Sequence, residues 1–283
     1  MNKPYTKILD VRRDGAVQIV RLTNEETRNS LSNPMRVALA RALQQAAEDD
    51  GVRALYLTGS GSTFCSGGDL NAFKEGPNKP WDVHRRFRSL RAWLVPFLYF
   101  EKPVVVGLNG YAVGGGMGLA LAGDILIAAQ SAKLMSGFFR LGVIPDVAMM
   151  YTLPRLIGLA RAKNFLFSNA TLTAQQALEI GLVSEVVADD RLDEACLAKA
   201  HQLAAGPTQV IGLAKLLMAR SFETDVDDMF LLEGLGQSLA MSGEEFREGL
   251  NALLEKRPAS FARKRAPTQP TTSGGKPKGV TRR

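Results

Sequence analysis

The stretch that decides the reading is Lys102-Pro103-Val104-Val105-Val106-Gly107-Leu108-Asn109-Gly110-Tyr111-Ala112-Val113-Gly114-Gly115-Gly116. Pro103 to Leu108 is a short, continuous apolar run closed by Asn-Gly, the pattern of a strand buried on both faces. Three glycines follow, and Met117 to Ala122 reads as a short helix. Ile125 to Ala129 is a further strand of the same buried kind. Upstream, Ala54 to Thr58 (ALYLT) is a buried strand ending in Gly-Ser-Gly, and the loop Ser62 to Asn71 (STFCSGGDLN) comes after it. Two glycine-rich loops, Ser66-Gly67-Gly68-Asp69 and Gly114-Gly115-Gly116, therefore each follow a buried strand. Glycines there let backbone N–H groups reach a ligand without a Cβ in the way. Two such groups converging on one point form an oxyanion hole, and one at a helix start gains from the dipole. Neither loop has the spacing of a phosphate-binding P-loop or a dinucleotide fingerprint, and either alone also reads as a tight strand-to-helix turn.

Outward from these loops, Lys7–Val11 and Val17–Leu22 form a β-hairpin pattern around Asp14-Gly15. Ser32-Asn33-Pro34 opens a helix whose buried face is Met35, Leu39, Ala42, Leu43 and Ala46. Pro80 to Phe100 reads as a helix with Trp81, His84, Phe87, Leu90 and Leu94 at helical spacing, which Pro96 should bend or end. From Asp146 to about Leu254 the periodicity is mostly helical, with breaks at Pro154, Gly181, Gly206-Pro207 and Gly243. The whole is an α/β architecture followed by an α-helical segment.

The chain has 283 residues, 46% hydrophobic and 22% charged, which excludes disorder as its main state as well as collagen-like and coiled-coil designs. Its net charge of +7 is local: Ala262 to Arg283 holds seven basic residues and no acidic one, leaving 28 basic and 28 acidic residues in the body. The run from Ala266 onward reads as a disordered tail. A flexible basic tail can hold RNA weakly, but no aromatic residue interleaves with its charges, so the expectation is no nucleic-acid partner. Cys65 and Cys196 make no disulfide framework, and Met1 to Asp10 has no apolar signal segment. Both features point to a cytoplasmic setting. Val104 to Ala129 is interrupted by Asn109, glycines and Asp124, so it reads as core and not as a membrane span.

Taken in order, several motifs resemble one family. Phe64-Cys65-Ser66-Gly67-Gly68-Asp69-Leu70 is similar to the F-x-A/S-G-x-D-L loop of the crotonase superfamily, the enoyl-CoA hydratases and isomerases. The stretch from Lys102 to Gly116 resembles its second signature, and Arg28-Asn29-Ser30-Leu31 its N-A-L loop. Leu153-Pro154-Arg155-Leu156-Ile157-Gly158 and Glu255-Lys256-Arg257-Pro258 fit later landmarks. The resemblance spans roughly Ile8 to Lys264. It implies a spiral of ββα turns over residues 1–200, a C-terminal α-helical trimerisation region over 201–265, and the basic tail over 266–283. It implies a homotrimer or dimer of trimers acting on an acyl-CoA thioester, with coenzyme A part of the substrate and no separate cofactor. The thioester oxygen would rest between the amides of Gly68 and Gly115, each such donor being worth ~3 kcal/mol of barrier. Ser30, Ser66, Gly68, Asp69, Leu70 and Asn71 would line the CoA path, and Arg28 would meet its phosphates. Phe261 and Lys264 lie where the family's last helix can reach a neighbouring subunit's CoA.

The acids depart from the family pattern. The resemblance places one hydratase glutamate two residues after the glycine triplet, here Gly118, and a second at the position of Phe138. Water addition needs groups to deprotonate water and to protonate carbon, so the loss of both argues against an ordinary hydratase. Asp146, in LGVIPD, matches the position used by isomerase branches of the family, including the isomerases of phenylacetate degradation. One carboxylate suffices to move a proton from one carbon to another while the oxyanion hole holds the dienolate. Burial beside Phe138, Phe139 and Val143 would raise its pKa. Read without the family, Pro145-Asp146 also serves as a plain helix cap. Val147-Ala148-Met149-Met150 stands where relatives have glycines.

Other candidates carry less. His84 and His201 lack partners at zinc-site spacing, so no metal is expected. Cys65 has no paired base and reads as a packing residue. Ser66 and Ser136 have neither a G-x-S-x-G frame nor a recognisable His-Asp order. Arg85, Arg86, Arg88 and Arg91 form a basic helical stripe, either facing CoA phosphates or simply solvated. The expected activity is a double-bond shift in an enoyl-CoA. A hydratase with a non-standard acid and a catalytically silent CoA-binding or RNA-binding relative are the alternatives.

Overall fold

The computed structural model describes residues 7–70 and 79–261. β1 (Leu9–Asp14) and β2 (Val17–Leu22) pair antiparallel, with Gly15 at φ 55° in the turn between them. Helix α1 (Asn33–Glu48) starts where expected, Ser32 Oγ accepting from the Met35 amide at 3.4 Å and Pro34 in the first turn. β3 (Ala54–Gly59) is buried throughout, and β4 (Thr63–Cys65) follows. After α2 (Pro80–Leu98) the sequence β5 (Val104–Leu108), β6 (Tyr111–Val113), α3 (Gly115–Ala120) repeats the plan, and β7 (Ile125–Ala129) with β8 (Lys133–Met135) repeats it again.

Each turn of this spiral gives a long strand to one sheet and a short strand to another. The large sheet has the order β1-β2-β3-β5-β7 and then β10 (Glu185–Val187), parallel apart from the first hairpin. The small sheet runs β4-β6-β8 and then β9 (Thr171–Thr173), and only β8–β9 is antiparallel. The turns between sheets are too tight for side chains: a Cβ on Gly110 would sit 2.0 Å from the Ser62 carbonyl oxygen.

The second half is helical: α4 (Met149–Ile157), α5 (Leu159–Phe167), α6 (Ala174–Glu179), α7 (Leu192–Ala205), α8 (Thr208–Met218), α9 (Val226–Ser242) and α10 (Glu244–Leu254). Two three-residue strands, β9 (Thr171–Thr173) and β10 (Glu185–Val187), interrupt it. Helix α7 runs across residue 200 and packs on the large sheet through Leu192, Cys196, Ala200 and Ala204. It is keyed there by the fully buried Tyr56, whose hydroxyl donates to Asp193 Oδ1 at 2.5 Å. Arg53 donates to the Ala204 and Gly206 carbonyls at 2.7 and 2.6 Å, and Glu245 accepts from the Gln209 and Val210 amides at the start of α8. No helix among the described residues is long and apolar enough to cross a membrane.

Three local expectations are corrected. Helix α2 continues through Pro96 and ends two residues later at Leu98, so that proline lies in its last turn. Pro154 likewise lies inside α4. The buried face of α2 is Leu90, Leu94 and Phe97, whereas Trp81 is 71% exposed and Phe87 40% exposed. Residues 71–78 and 262–283, including Asn71, Lys264 and the expected tail, lie outside the described residues.

Candidate active site

The two glycine loops meet. Gly67, at φ 85°, lies so close to the second loop that a Cβ on it would be 2.5 Å from the Val113 carbonyl oxygen and 3.0 Å from the Gly115 nitrogen. Gly116 is equally confined, its Cβ position being 2.2 Å from the Cys65 carbonyl oxygen. Gly115 opens α3, so its amide belongs to the helix-start donors that have no partner within the helix. Gly68 is exposed beside it.

The Arg28–Leu31 segment clamps the first loop in place. The Ser66 amide donates to the Arg28 carbonyl at 3.0 Å, Ser66 Oγ to the Thr27 carbonyl at 3.1 Å, and the Leu31 amide to the Gly67 carbonyl at 2.7 Å. Arg28 and Asn29 both adopt positive φ, and buried Asn29 donates Nδ2 to the Ser60 and Thr63 carbonyls at 3.1 and 2.7 Å. Arg28 is exposed, as its assignment to phosphates requires. Ser30 is 3% exposed, with its hydroxyl unpartnered among the described residues, so it sits behind the loop and not on its surface. Asp69 is half-buried and Leu70 exposed. Phe261 packs on α10, its ring 3.7 Å from the Cβ position of Gly249.

Asp146 completes the arrangement. Its Oδ1 is 3.6 Å from where Gly115 would carry a Cβ, which sets a carboxylate directly against the candidate oxyanion donor. Burial pushes its pKa above the ordinary aspartate value, and the positive charges of Arg86 and Arg36 pull in the opposite direction. Phe139 and Val143 do not supply that burial, being 37% and 49% exposed themselves, whereas Phe138 is buried against Gly114. The residues after the acid are strained: Val147 has φ 50° and Ala148 φ 59°, the left-handed region that a β-branched residue strongly resists.

That strain closes the place where a hydratase acid would stand. A Cβ on Gly118 would lie 2.6 Å from the Val147 carbonyl oxygen and 2.9 Å from its Cβ. The glycine is thus required by the path of Val147, and no side chain fits there while that path holds.

Residues 12–264 of the sequence are matched by the family model for enoyl-CoA hydratase/isomerase. The chain belongs to the enoyl-CoA hydratase/isomerase family. It is 38% identical to the 1,2-epoxyphenylacetyl-CoA isomerase of Escherichia coli (strain K12) over 253 residues, covering 88% of this chain and 95% of that one. It is 36% identical to a probable enoyl-CoA hydratase of Rhodobacter capsulatus over 244 residues, covering 86% and 93%. The crystal structure of an enoyl-CoA hydratase/isomerase from Cupriavidus metallidurans CH34 superimposes with a TM-score of 0.85 at 30% identity, covering 90% of this chain and 97% of that one. The family's fold and its acyl-CoA chemistry are therefore this chain's, while the names of relatives divide among isomerase, hydratase and dehalogenase.

Within this family site, the minor candidates fall away. Cys65 is fully buried and its thiol is pushed up to about 12, so it stays protonated and packs. Ser136 is fully buried. His84 is exposed, edge-on to Trp81 at 5.5 Å, and His201 pairs with Asp14 at 2.9 Å on the surface. Among the described residues no three metal-ligating side chains gather. Two residues near the acid carried little weight in the sequence: Arg86, read only as part of a stripe, and Arg36. The signal for Arg86 was its position four residues before Leu90 and eight before Leu94, which sets it on the same side of α2 as these buried leucines. Arg36 stood one position beyond Met35, at the edge of the apolar stripe of α1, and no pattern singled it out.

Proposed function

We propose that this family member shifts a carbon–carbon double bond in an enoyl-CoA thioester, with Asp146 as the proton shuttle and the amides of Gly68 and Gly115 holding the thioester oxygen. The observation that carries the reading is a single carboxylate set against Gly115 at a site where the second acid position is closed by Val147. The carboxylate removes a proton from one carbon of the acyl chain, and the electron pair spreads over the dienolate onto the oxygen. Asp146, now protonated, returns that proton at the other end of the dienolate. No atom is gained or lost, so neither a water nor a separate cofactor enters the balance. Fixed N–H dipoles favour the charged intermediate over the neutral ester at both steps. Arg28, Ser66, Asp69, Leu70 and Asn71 would guide the CoA arm.

The proposal extends to assembly as a homotrimer or dimer of trimers. Phe222, Val226, Phe230, Leu231, Leu235 and Leu239 are each more than 60% exposed around α9, an apolar surface suited to a second copy. Phe261 and Lys264 would then serve a neighbour's CoA.

The test is an assay of wild type and Asp146→Asn with a 3-enoyl-CoA and, separately, a 2-enoyl-CoA. Wild type is expected to convert the 3-enoyl ester to its conjugated isomer, and the variant to lose ~10²-fold or more in kcat while still binding ester. Hydration of the 2-enoyl ester with Asp146 dispensable would overturn the reading in favour of a hydratase. Silence of wild type toward both would favour the non-catalytic alternative.

A further inference from the structure

Asp146 is followed by two residues in the left-handed region, Val147 at φ 50° and Ala148 at φ 59°. Such a conformation costs free energy for any residue with a Cβ, and it persists only where the surroundings over-determine it. On one side Val147 is wedged into the glycine wall, its Cγ2 2.8 Å from the Gly115 Cβ position. That contact is apolar and carries no direction. The directional restraints come from α4. The Asp146 carbonyl accepts from the Met149 amide at 3.0 Å. The Ala148 carbonyl accepts from the amides of Tyr151 and Thr152, both at 2.9 Å, and from Thr152 Oγ1 at 3.2 Å. The place of Asp146 therefore follows the seating of α4.

Helix α4 buries Met149, Thr152, Leu153 and Ile157. Contacts that are mostly apolar leave a short helix free to roll about its axis. Two polar pins on its flank oppose that roll, and both run to the segment joining α8 to α9. The Tyr151 hydroxyl donates to the Ala219 carbonyl at 3.1 Å. Arg155, part-buried, donates Nη1 to the Tyr151 carbonyl at 3.0 Å and Nη2 to Glu223. Its guanidinium lies over the Tyr151 ring, 3.6 Å from the centroid, with the Phe222 ring centroid 5.4 Å away. A planar fork that stacks and pairs at once fixes orientation as an apolar contact does not.

We infer that Arg155 is a positioning residue: by fastening α4 to the segment between α8 and α9, it holds Val147 and Ala148 left-handed and so keeps the Asp146 carboxylate against Gly115. The inference rests on reading Asp146 as the proton shuttle. With the clamp released, the strained pair relaxes and the carboxylate leaves its corner for water. The loss falls on proton transfer and spares ester binding, because the loop read as the CoA path is held by the Arg28–Leu31 segment and not by α4.

The test compares wild type, Arg155→Met, which keeps the aliphatic stem, and Arg155→Met combined with Ala148→Gly, which relieves one of the two left-handed residues. With a 3-enoyl-CoA, Arg155→Met should lose ~10-fold in kcat, the order expected of a small misplacement. Its affinity for saturated hexanoyl-CoA, titrated by calorimetry, should change less than ~2-fold. Adding Ala148→Gly should recover most of the rate, and Arg155→Lys alone should keep part of it. A second readout needs no turnover. Unfolding followed against pH, with and without Asp146→Asn in each background, reports how Asp146 titrates. The charges that act on the carboxylate, Arg36 from α1 and Arg86 from α2, stay in place throughout. Burial raises Asp146 in wild type, so the stability that Asp146→Asn gains at neutral pH should shrink in Arg155→Met, as the carboxylate regains water, and return with Ala148→Gly. Should Arg155→Met fail to fold, Glu223→Gln, which removes only the ion pair, should show the same changes at smaller size. A wild-type rate and titration in the clamp variants, or losses that Ala148→Gly does not recover, would overturn the inference. If wild type leaves the 3-enoyl ester untouched while the titration shifts as described, the clamp stands and the isomerase reading falls. If neither is seen, both fall.

Discussion

The two walls of the site are built to different tolerances. One wall, Cys65 to Gly68 with Val113 to Gly118, is largely buried, and Gly67 and Gly116 each have backbone atoms of the opposing segment within 2.5 Å of where a Cβ would go. The other wall, Phe138 to Met150, is largely at the surface: Leu141 is 59% exposed, Ile144 76% and Met150 58%. It also carries two non-glycine residues in the left-handed region. The glycine wall presents fixed dipoles, which stabilise charge only if they need not reorganise, and it is packed to prevent movement. In the proposed reaction the acid wall decides which carbon loses a proton. It has slack enough to be rewritten, in keeping with the divided names among relatives that share the fold.

That contrast breaks most visibly if the rigid wall is disturbed. Gly116→Ala should cost about 3 kcal/mol or more, since a Cβ would press on the Cys65 backbone and neither segment can yield. Denaturant unfolding measures it, and a loss below about 1 kcal/mol would mean the wall is softer than drawn.

A smaller effect should appear in the pH dependence. In the proposed reaction Asp146 acts ionised, and burial raises its pKa, so the acid limb of kcat/KM should lie above the ordinary aspartate range. Arg86 and Arg36 favour the ionised form, Arg86 more strongly, so Arg86→Met should move that limb upward, and Arg36→Met less far. For stability the sign is opposite to that of a salt-bridged acid. A raised carboxyl favours the fold below its unfolded pKa and loses that contribution as pH rises through the folded one. Asp146→Asn should thus be the more stable protein at neutral pH, with the gain vanishing in acid. A variant less stable at neutral pH would show that the carboxylate is held by more than its arginines.

The smallest effect sharpens the comparison. Ala148→Gly should stabilise by about 1 kcal/mol by relieving the left-handed conformation. The same exchange at a right-handed helical position would destabilise by a similar amount. Thermal melts of the two variants give the answer directly.

Legibility followed the same division. Long apolar runs such as Ala54–Thr58 and Val104–Leu108 announce buried strands, and the glycine loops sit at their ends as read. The apolar stripe of α1 is buried as its spacing predicts. The small sheet was not legible, because β4, β6, β8 and β9 have three residues each and show no periodicity. In α2 the aromatic residues Trp81 and Phe87 drew the buried face to the wrong side, whereas Arg86, Leu90 and Leu94 mark it. Arg36 could not be found from sequence, since its approach to Asp146 is a property of the folded surroundings and not of spacing. The glycine at 118 read as a lost acid, and only the path of Val147 gives its physical reason.

The spiral also sets an order of events when the chain folds. Gly68 and Gly115 belong to successive turns, and their loops meet only after β3 has paired with β5 and β4 with β6. Each of these parallel pairings joins segments far apart in the chain, and the loop closure must be spent before contact rewards it. Helices such as α1 and α7 can form locally and early. The machinery that would hold a thioester oxygen is therefore among the last features to exist, and a refolding chain regains its helical signal before it regains the pocket.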